Sequence, residues 1–449
     1  MSRRNIKRFS FRFELVLMVG AIFHWFYYRR FVVKDRGKIP SGKPVIFAAN
    51  HQNALMDALA IIFAARRQIV FMARADIFRQ KFTARLLHFI KILPVYRIRD
   101  GFHSVEQNKE VFKEVIAVLE NNNPVALFPE GSHLGEKRLR PFKKGAARLA
   151  LLAEESFGEK QEVLIVPVGI DYSGYKNAGS DLLVIFGDPV PAGGYKELYL
   201  QNPPQALIQL TDDIEEGIKK VIIHIDSEEY YPTIHDAVEM YYPLELKKQQ
   251  LRLSLWNRFK IKKEITEKLV SKIQDKKREL DELKQMLDSY RDELKNLNIR
   301  DRQITNSFNN PVSLFFASVF SILALPLFLY GTAMNSLPIV LPDRLTKNLK
   351  DPHFTSSVRF GAGLPLFFLW YVLLFIVFII VFKNILISLA LLISLPLTGL
   401  FAFYYYKNFK KMLADFRWMR IKYGNRDMFT KITALRNKII STVNNMISK

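Results

Sequence analysis

Chemistry is suggested first by a histidine and a carboxylate. The run Asn50-His51-Gln52-Asn53-Ala54-Leu55-Met56-Asp57 follows the apolar stretch Val45-Ile46-Phe47-Ala48-Ala49. An imidazole titrates near neutrality and can take a proton from an alcohol. A neighbouring carboxylate would fix its tautomer and stabilise the imidazolium. Six positions separate His51 from Asp57, which is not one helical face, so a loop must bring them together. By itself such a pair is weak evidence, because chance spacing explains most of them. A second cluster, Leu127-Phe128-Pro129-Glu130-Gly131-Ser132-His133, also follows an apolar stretch and is trailed by Arg140-Pro141-Phe142-Lys143-Lys144-Gly145. Backbone N–H groups of a glycine loop and several cations at a helix start suit an anion such as a phosphate. Lys143 and Lys144 read equally as ordinary solvated charge. Arg97 ends the run Leu93-Pro94-Val95-Tyr96-Arg97, where a guanidinium can hold a phosphate through two parallel bonds or join a surface salt bridge. The fourth cluster, Val166-Pro167-Val168-Gly169-Ile170, is apolar and reads as core.

These clusters need a scaffold that ends strands at one edge. Residues 45–49, 69–73, 92–96, 125–128, 163–168 and 182–186 read as strands, with helices predicted over 57–67, 104–121 and 143–155. The helix over 104–121 stops at Asn121-Asn122-Asn123-Pro124. Continuous apolar strands between helices indicate a sheet covered on both faces, whose strand ends open into a ligand crevice. The fold class expected is therefore α/β. A central, mostly parallel sheet is covered by helices and followed by a helical, coiled-coil-like arm and C-terminal transmembrane helices.

The composition limits the partners. The chain has 449 residues, a formal net charge of +23, 49% hydrophobic residues, 13% aromatic residues and no cysteine. Disulfides, thiolate metal sites and a cysteine nucleophile are excluded. A basic chain with long apolar runs suits a membrane surface, and no nucleic-acid partner is expected. No charged residue occurs between Arg302 and Asp343, between Arg359 and Lys383, or between Lys383 and Lys407. Each run is long enough to cross a bilayer core of about 30 Å. The basic segments before the first and after the third run both favour the cytoplasmic side. Residues 312–341, interrupted by Pro326, Gly331 and Pro338, are therefore expected to be broken or re-entrant. A hairpin of 363–382 and 385–406 would then cross. At the N-terminus, Phe13 to Tyr28 with Trp25, Arg29 and Arg30 reads as an interfacial amphipathic helix, or as a core helix of the next domain. Leu280, Leu283, Leu287, Tyr290, Leu294 and Leu297 step by three and four. The stripe suits either an arm packed on its own domain or a homodimer formed through the arm. The domains expected are an interfacial helix (1–33), a catalytic domain (34–245), a charged helical arm (246–310), membrane-embedded segments (311–406) and a basic cytoplasmic tail (407–449).

Taken in order, His51…Asp57, Arg97, Phe128-Pro129-Glu130-Gly131 and Val166-Pro167 resemble the four blocks of the glycerolipid acyltransferase superfamily, over roughly residues 30 to 225. Five residues stand between His51 and Asp57 where the usual block has four. That spacing is similar to the membrane-bound glycerol-3-phosphate and dihydroxyacetone-phosphate acyltransferase branch. Ser132-His133 stands where many lysophosphatidate acyltransferases have Thr-Arg. The resemblance implies that His51 is the general base and Asp57 its orienting carboxylate. It implies that Arg97, Glu130 and Gly131 hold a glycerol-phosphate acceptor, with Lys143 a further phosphate partner and Pro167 near the acyl pocket. It further implies acyl-CoA or acyl carrier protein as thioester co-substrate, no cofactor, and direct attack without an acyl-enzyme. An integral membrane enzyme of phospholipid synthesis with a cytoplasmic catalytic domain is the expectation. Its product would be acylated at the sn-1 hydroxyl of glycerol 3-phosphate or dihydroxyacetone phosphate, or alternatively at the sn-2 hydroxyl of lysophosphatidate. From another class, a non-catalytic membrane scaffold with an inherited fold is the competing reading.

Overall fold

The computed structural model describes residues 6–96, 103–305, 310–349 and 351–448. It divides the chain into two compact units: residues 1–224 with 351–357, and residues 225–350 with 358–449.

The first unit is built on one eight-stranded sheet of β1 (Arg30–Lys34), β2 (Val45–Ala49), β3 (Val70–Arg74), β4 (Ile92–Val95), β5 (Val125–Leu127), β6 (Leu164–Tyr172), β7 (Asp181–Phe186) and β8 (Val190–Pro191). The order is β1-β7-β6-β2-β5-β3-β4, with β8 also paired to β6. All pairings are parallel except those of β6 with β7 and with β8. Val45-Ile46-Phe47-Ala48-Ala49 is buried at every position, as a strand covered on both faces requires. The helices Gly145–Phe157 and Pro203–Val221 bury apolar faces in one core with Ile46 and Ala48 of β2, and Ala54–Ala65 is buried along most of its length. The parallel strands β2 and β5 end together, so the loops that follow them, 50–53 and 128–144, share one edge of the sheet.

Two glycines set how closely Pro203–Val221 lies on the sheet. A Cβ at Gly169 in β6 would collide with the Val221 carbonyl, and one at Gly217 would lie 2.6 Å from the Pro167 ring. Gly169→Ala is expected to cost about 1–3 kcal/mol, since overpacking forces backbone apart. A lowered melting temperature in detergent checks it.

The N-terminal helix Phe11–Tyr27 differs from the amphipathic expectation, because it has no polar face. Phe13, Leu17, Gly20 and His24 are buried, with Phe13 against Phe89 and His24 against Phe63 and Phe31. The opposite side exposes Phe11, Leu15, Met18, Ile22 and Trp25, spaced as one helical stripe. Glu14 accepts from Gln68 rather than facing water.

The second unit is helical. Tyr231–Lys248, Leu255–Ser271, Lys277–Asn296 and Arg426–Ser448 share a core containing Leu280, Leu283, Leu287 and Tyr290 together with Ile432, Ile439, Val443 and Met446. The leucine stripe of the arm is thus covered by its own chain. The C-terminal residues form part of that bundle rather than a separate tail. Residues 225–245 fold here too, because Tyr230, Ile234, Ala237 and Tyr241 bury in the same core.

Among the described residues, three helices are long and apolar enough to cross a membrane: Leu325–Thr346, Pro352–Phe382 and Ile385–Gly424. Pro311–Leu323 is apolar but shorter. Within residues 312–341 the helix breaks at Ala324, ahead of Pro326, while Pro338 and Pro342 lie inside a continuing helix. Gly331 is a contact rather than a break, since a Cβ there would meet the Thr398 carbonyl. Small residues let apolar helices approach in this way. Asn335, 1% exposed, donates to the Gly331 and Leu395 carbonyls and accepts from Tyr371, so the polar group is fully engaged among apolar helices.

Candidate active site

The site grows from the end of β2. Asn50 splints it to β6, donating to the Ile170 carbonyl (3.0 Å) and accepting from the Ile170 amide (2.7 Å). The chain then turns into the helix Ala54–Ala65, which starts three residues earlier than the sequence pattern suggests. Asp57 therefore lies in its first turn, where a carboxylate is favoured by the helix dipole. It folds back on the preceding loop. Its Oδ2 accepts from Gln52 N (2.7 Å), Asn53 N (2.7 Å) and His51 Nδ1 (2.8 Å), and its Oδ1 accepts from Tyr172 Oη (2.8 Å). Asp57 is fully buried. Burial, together with the nearby Asp57 carboxylate and Tyr28, pushes the Tyr172 hydroxyl well above the usual phenol range. It remains a donor.

An ionised carboxylate accepts only, so the proton between the pair sits on His51 Nδ1 and the lone pair is left on Nε2. The ring stacks on Phe128 (4.0 Å between centroids, 12°) and meets His133 edge-on (5.5 Å, 86°). Its side chain is 14% exposed. A partly open imidazole with a free Nε2 and a buried carboxylate behind it can act as a general base.

Glu130, which the resemblance places on the acceptor, is bonded within the protein. Its Oε1 accepts from His51 N (2.7 Å) and its Oε2 from Arg140 N (3.0 Å). Oε1 thereby ties the loop after β5 to the loop after β2, while Oε2 closes the β5 loop on itself. Burial raises its pKa from the usual 4.5 to about 7, against the lowering effect of these hydrogen bonds. A carboxyl raised on folding contributes stability that is complete below its unfolded value and fades as pH rises through its folded value. The unit should therefore lose up to about 3 kcal/mol between pH 4.5 and 7 from this group. Buried His24, pushed down to about 3, contributes the opposite slope below pH 6.5. The test is the difference between wild type and Glu130→Gln in melting temperature against pH, which should narrow as pH rises.

Gly131 takes φ of +68° and donates to the Phe128 carbonyl (3.0 Å), a turn that glycine makes without strain. The stem of Lys143 lies beside it, and the Lys143 amide donates to Pro129 O. The Lys143 side chain is exposed. Arg140 reaches the Ser132 hydroxyl (3.1 Å). His51, Asp57, Glu130, Gly131 and Lys143 are thus gathered at one strand edge. Pro167 is not among them: it lies within β6, packed against Gly187 and Gly217 in the core. Arg97 lies outside the described residues.

Sequence reasoning missed Tyr172, because the strand expected over 163–168 continues to residue 172. The period-two run Val168, Ile170, Tyr172 was the available signal. It also missed Asp351, His353 and Phe354, which lie against His133. Their separation in sequence from the blocks hides them.

Residues 30–171 match the family model described as Acyltransferase, a span that contains both strand-end loops. A Saccharomyces cerevisiae glycerol-3-phosphate O-acyltransferase 2 is 26% identical over 234 residues, covering 49% of this chain and 30% of that protein. A 1-acyl-sn-glycerol-3-phosphate acyltransferase of Limnanthes alba is 25% identical over 134 residues, covering 30% of this chain and 45% of that protein. The chain thus spans less than half the length of either relative. The crystal structure of a 1-acyl-sn-glycerophosphate acyltransferase from Thermotoga maritima superposes with a TM-score of 0.31 at 19% identity, covering 45% of this chain and 78% of that one. The paired imidazole and carboxylate at the strand ends thus lie within the stretch, residues 30–171, that matches the Acyltransferase family model.

Proposed function

We propose that this chain is a membrane-bound O-acyltransferase that moves an acyl group from a thioester donor to the sn-1 hydroxyl of glycerol 3-phosphate. The observation that carries the reading is the His51–Asp57 pair, with Nε2 left open beside a cationic loop. His51 takes the proton of the acceptor hydroxyl as its oxygen attacks the thioester carbonyl; the tetrahedral intermediate then breaks its C–S bond, and the leaving sulfur takes that proton from the imidazolium and departs as the thiol. Asp57 holds the ring and stabilises the imidazolium. Lys143 and Arg140 supply charge for the acceptor phosphate, with Arg97 a further candidate from the sequence. The donor, acyl-CoA or acyl carrier protein, is also anionic, and no cofactor is called for.

The chemistry joins a polar acceptor to an acyl chain, so its place is the bilayer interface. The exposed stripe of the N-terminal helix and the candidate spanning helices serve that geometry. The basic flanks favour a cytoplasmic catalytic unit. The five-residue spacing between His51 and Asp57 and the similarity to the yeast protein favour glycerol 3-phosphate or dihydroxyacetone phosphate as acceptor. The similarity to the Limnanthes protein supports the second reading, sn-2 acylation of lysophosphatidate.

The deciding experiment supplies purified protein with labelled acyl-CoA and each of the three acceptors. Lysophosphatidate formed from glycerol 3-phosphate is the expected product. Phosphatidate formed from lysophosphatidate alone would establish the second reading, and no product from any acceptor would favour a scaffold.

A further inference from the structure

We propose that the strap Asp351–Ser357 is a working part of this site, positioning both the His51–Asp57 pair and the His133 ring beside it. The inference rests on the reading of His51 as the base. The strap folds with the first unit, although Val358 onward belongs to the second.

At one end it grips the turn that carries the carboxylate cradle. Ser357 Oγ accepts from Leu55 N (3.1 Å), one of the first amides of the helix Ala54–Ala65, which have no partner inside that helix. The Ser356 hydroxyl donates to Asn53 Oδ1, and Asn53 Nδ2 donates to the Tyr175 carbonyl (2.8 Å). The amides of Gln52 and Asn53 are the ones that hold Asp57 Oδ2. Ala54, in the same turn, has φ of +41°, a conformation that non-glycine residues keep only where their surroundings impose it. Both serines are buried, at 1% and 8% exposure.

At its other end the strap holds the second imidazole. Asp351 Oδ2 lies 2.8 Å from His133 Nε2, while its Oδ1 accepts from His353 N (2.9 Å). The His133 ring is flanked by His353 and Phe354, each 5.0 Å away, and His353 stacks on Tyr175. His133 is thus oriented by a carboxylate, as His51 is by Asp57, and the two rings meet edge to face. A plain linker would have no use for two buried hydroxyls aimed at this turn, because burying them is costly unless they are bonded, while the half-exposed Asp351 carboxylate bonds His133 from the rim. Ser356 and Ser357 also open the helix Thr355–Phe382, so a candidate membrane helix begins with the brace of the site.

The test uses the full chain in lipid nanodiscs. The variants are Ser356→Ala/Ser357→Ala, Asp351→Asn, and Ser357→Thr, which restores the hydroxyl. The double variant and Asp351→Asn should each lower kcat by about 10–100-fold, the scale of a small misplacement of reacting groups, with the donor KM and melting temperature little changed. Amide exchange over residues 52–57 should speed up in the double variant, and Ser357→Thr should behave as wild type. Wild-type kcat in folded Asp351→Asn and in the double variant would overturn the proposal. So would a raised kcat, which would make the strap a plug. His51→Ala is run alongside. If it is fully active, the catalytic reading falls and the strap with it. If it is inactive while the strap variants match wild type, only the strap proposal falls.

Discussion

Replacing His51 by alanine is expected to lower kcat for acyl transfer by about 10²–10⁴-fold, the range that a positioned general base supplies. The fold should tolerate the change, because the ring is partly exposed and the bond from His51 N to Glu130 is kept. Asp57 would keep three of its four donors, Gln52 N, Asn53 N and Tyr172 Oη. The donor KM should hardly move, since the imidazole acts on the acceptor hydroxyl. A drop in kcat at an unchanged melting temperature therefore separates a chemical role from a structural one.

Asp57→Asn should be nearly as damaging to kcat and worse for stability. The carboxylate accepts from four donors and offers none. An amide side chain must turn its NH₂ either towards two backbone N–H groups and the imidazole or towards the Tyr172 hydroxyl. In the first orientation His51 is driven to its other tautomer, with the proton on Nε2, where it cannot take one from an alcohol. We expect a loss of about 10²–10⁴-fold in kcat. A cost of about 1–3 kcal/mol in stability should accompany it, from buried donors left without an acceptor. Kinetics and melting temperature measured on one preparation check both. A stable, fully active Asp57→Asn would show that the ring needs no carboxylate.

The legible part of this site is local in sequence. The apolar run Val45–Ala49 announces a buried strand, and a polar residue just past such a strand lies at the sheet edge, so His51 could be placed before any coordinates. Asp57 could be paired with it, but the expected helix start at 57 hid the way the first turn folds back on Gln52 and Asn53. Glu130 could be seen but not interpreted, because its partners are backbone amides that carry no signal in residue type. Tyr172 reaches the site on the extension of β6 that pairs antiparallel with β7, and Asp351 through a return of the chain after some 200 residues, and no spacing rule covers that distance. In the second unit the leucine stripe fixed the helix and its buried face. Whether its partner was another chain or Ile432, Ile439 and Val443 of the same chain depended on contacts that residue spacing does not encode.

The most direct test of the account follows free thiol released from labelled acyl-CoA by the full chain in nanodiscs, with and without glycerol 3-phosphate. Thiol release is expected only when the acceptor is present, matched mole for mole by acylated acceptor, and should nearly disappear in His51→Ala. Acceptor-dependent release by His51→Ala at the wild-type rate would contradict it.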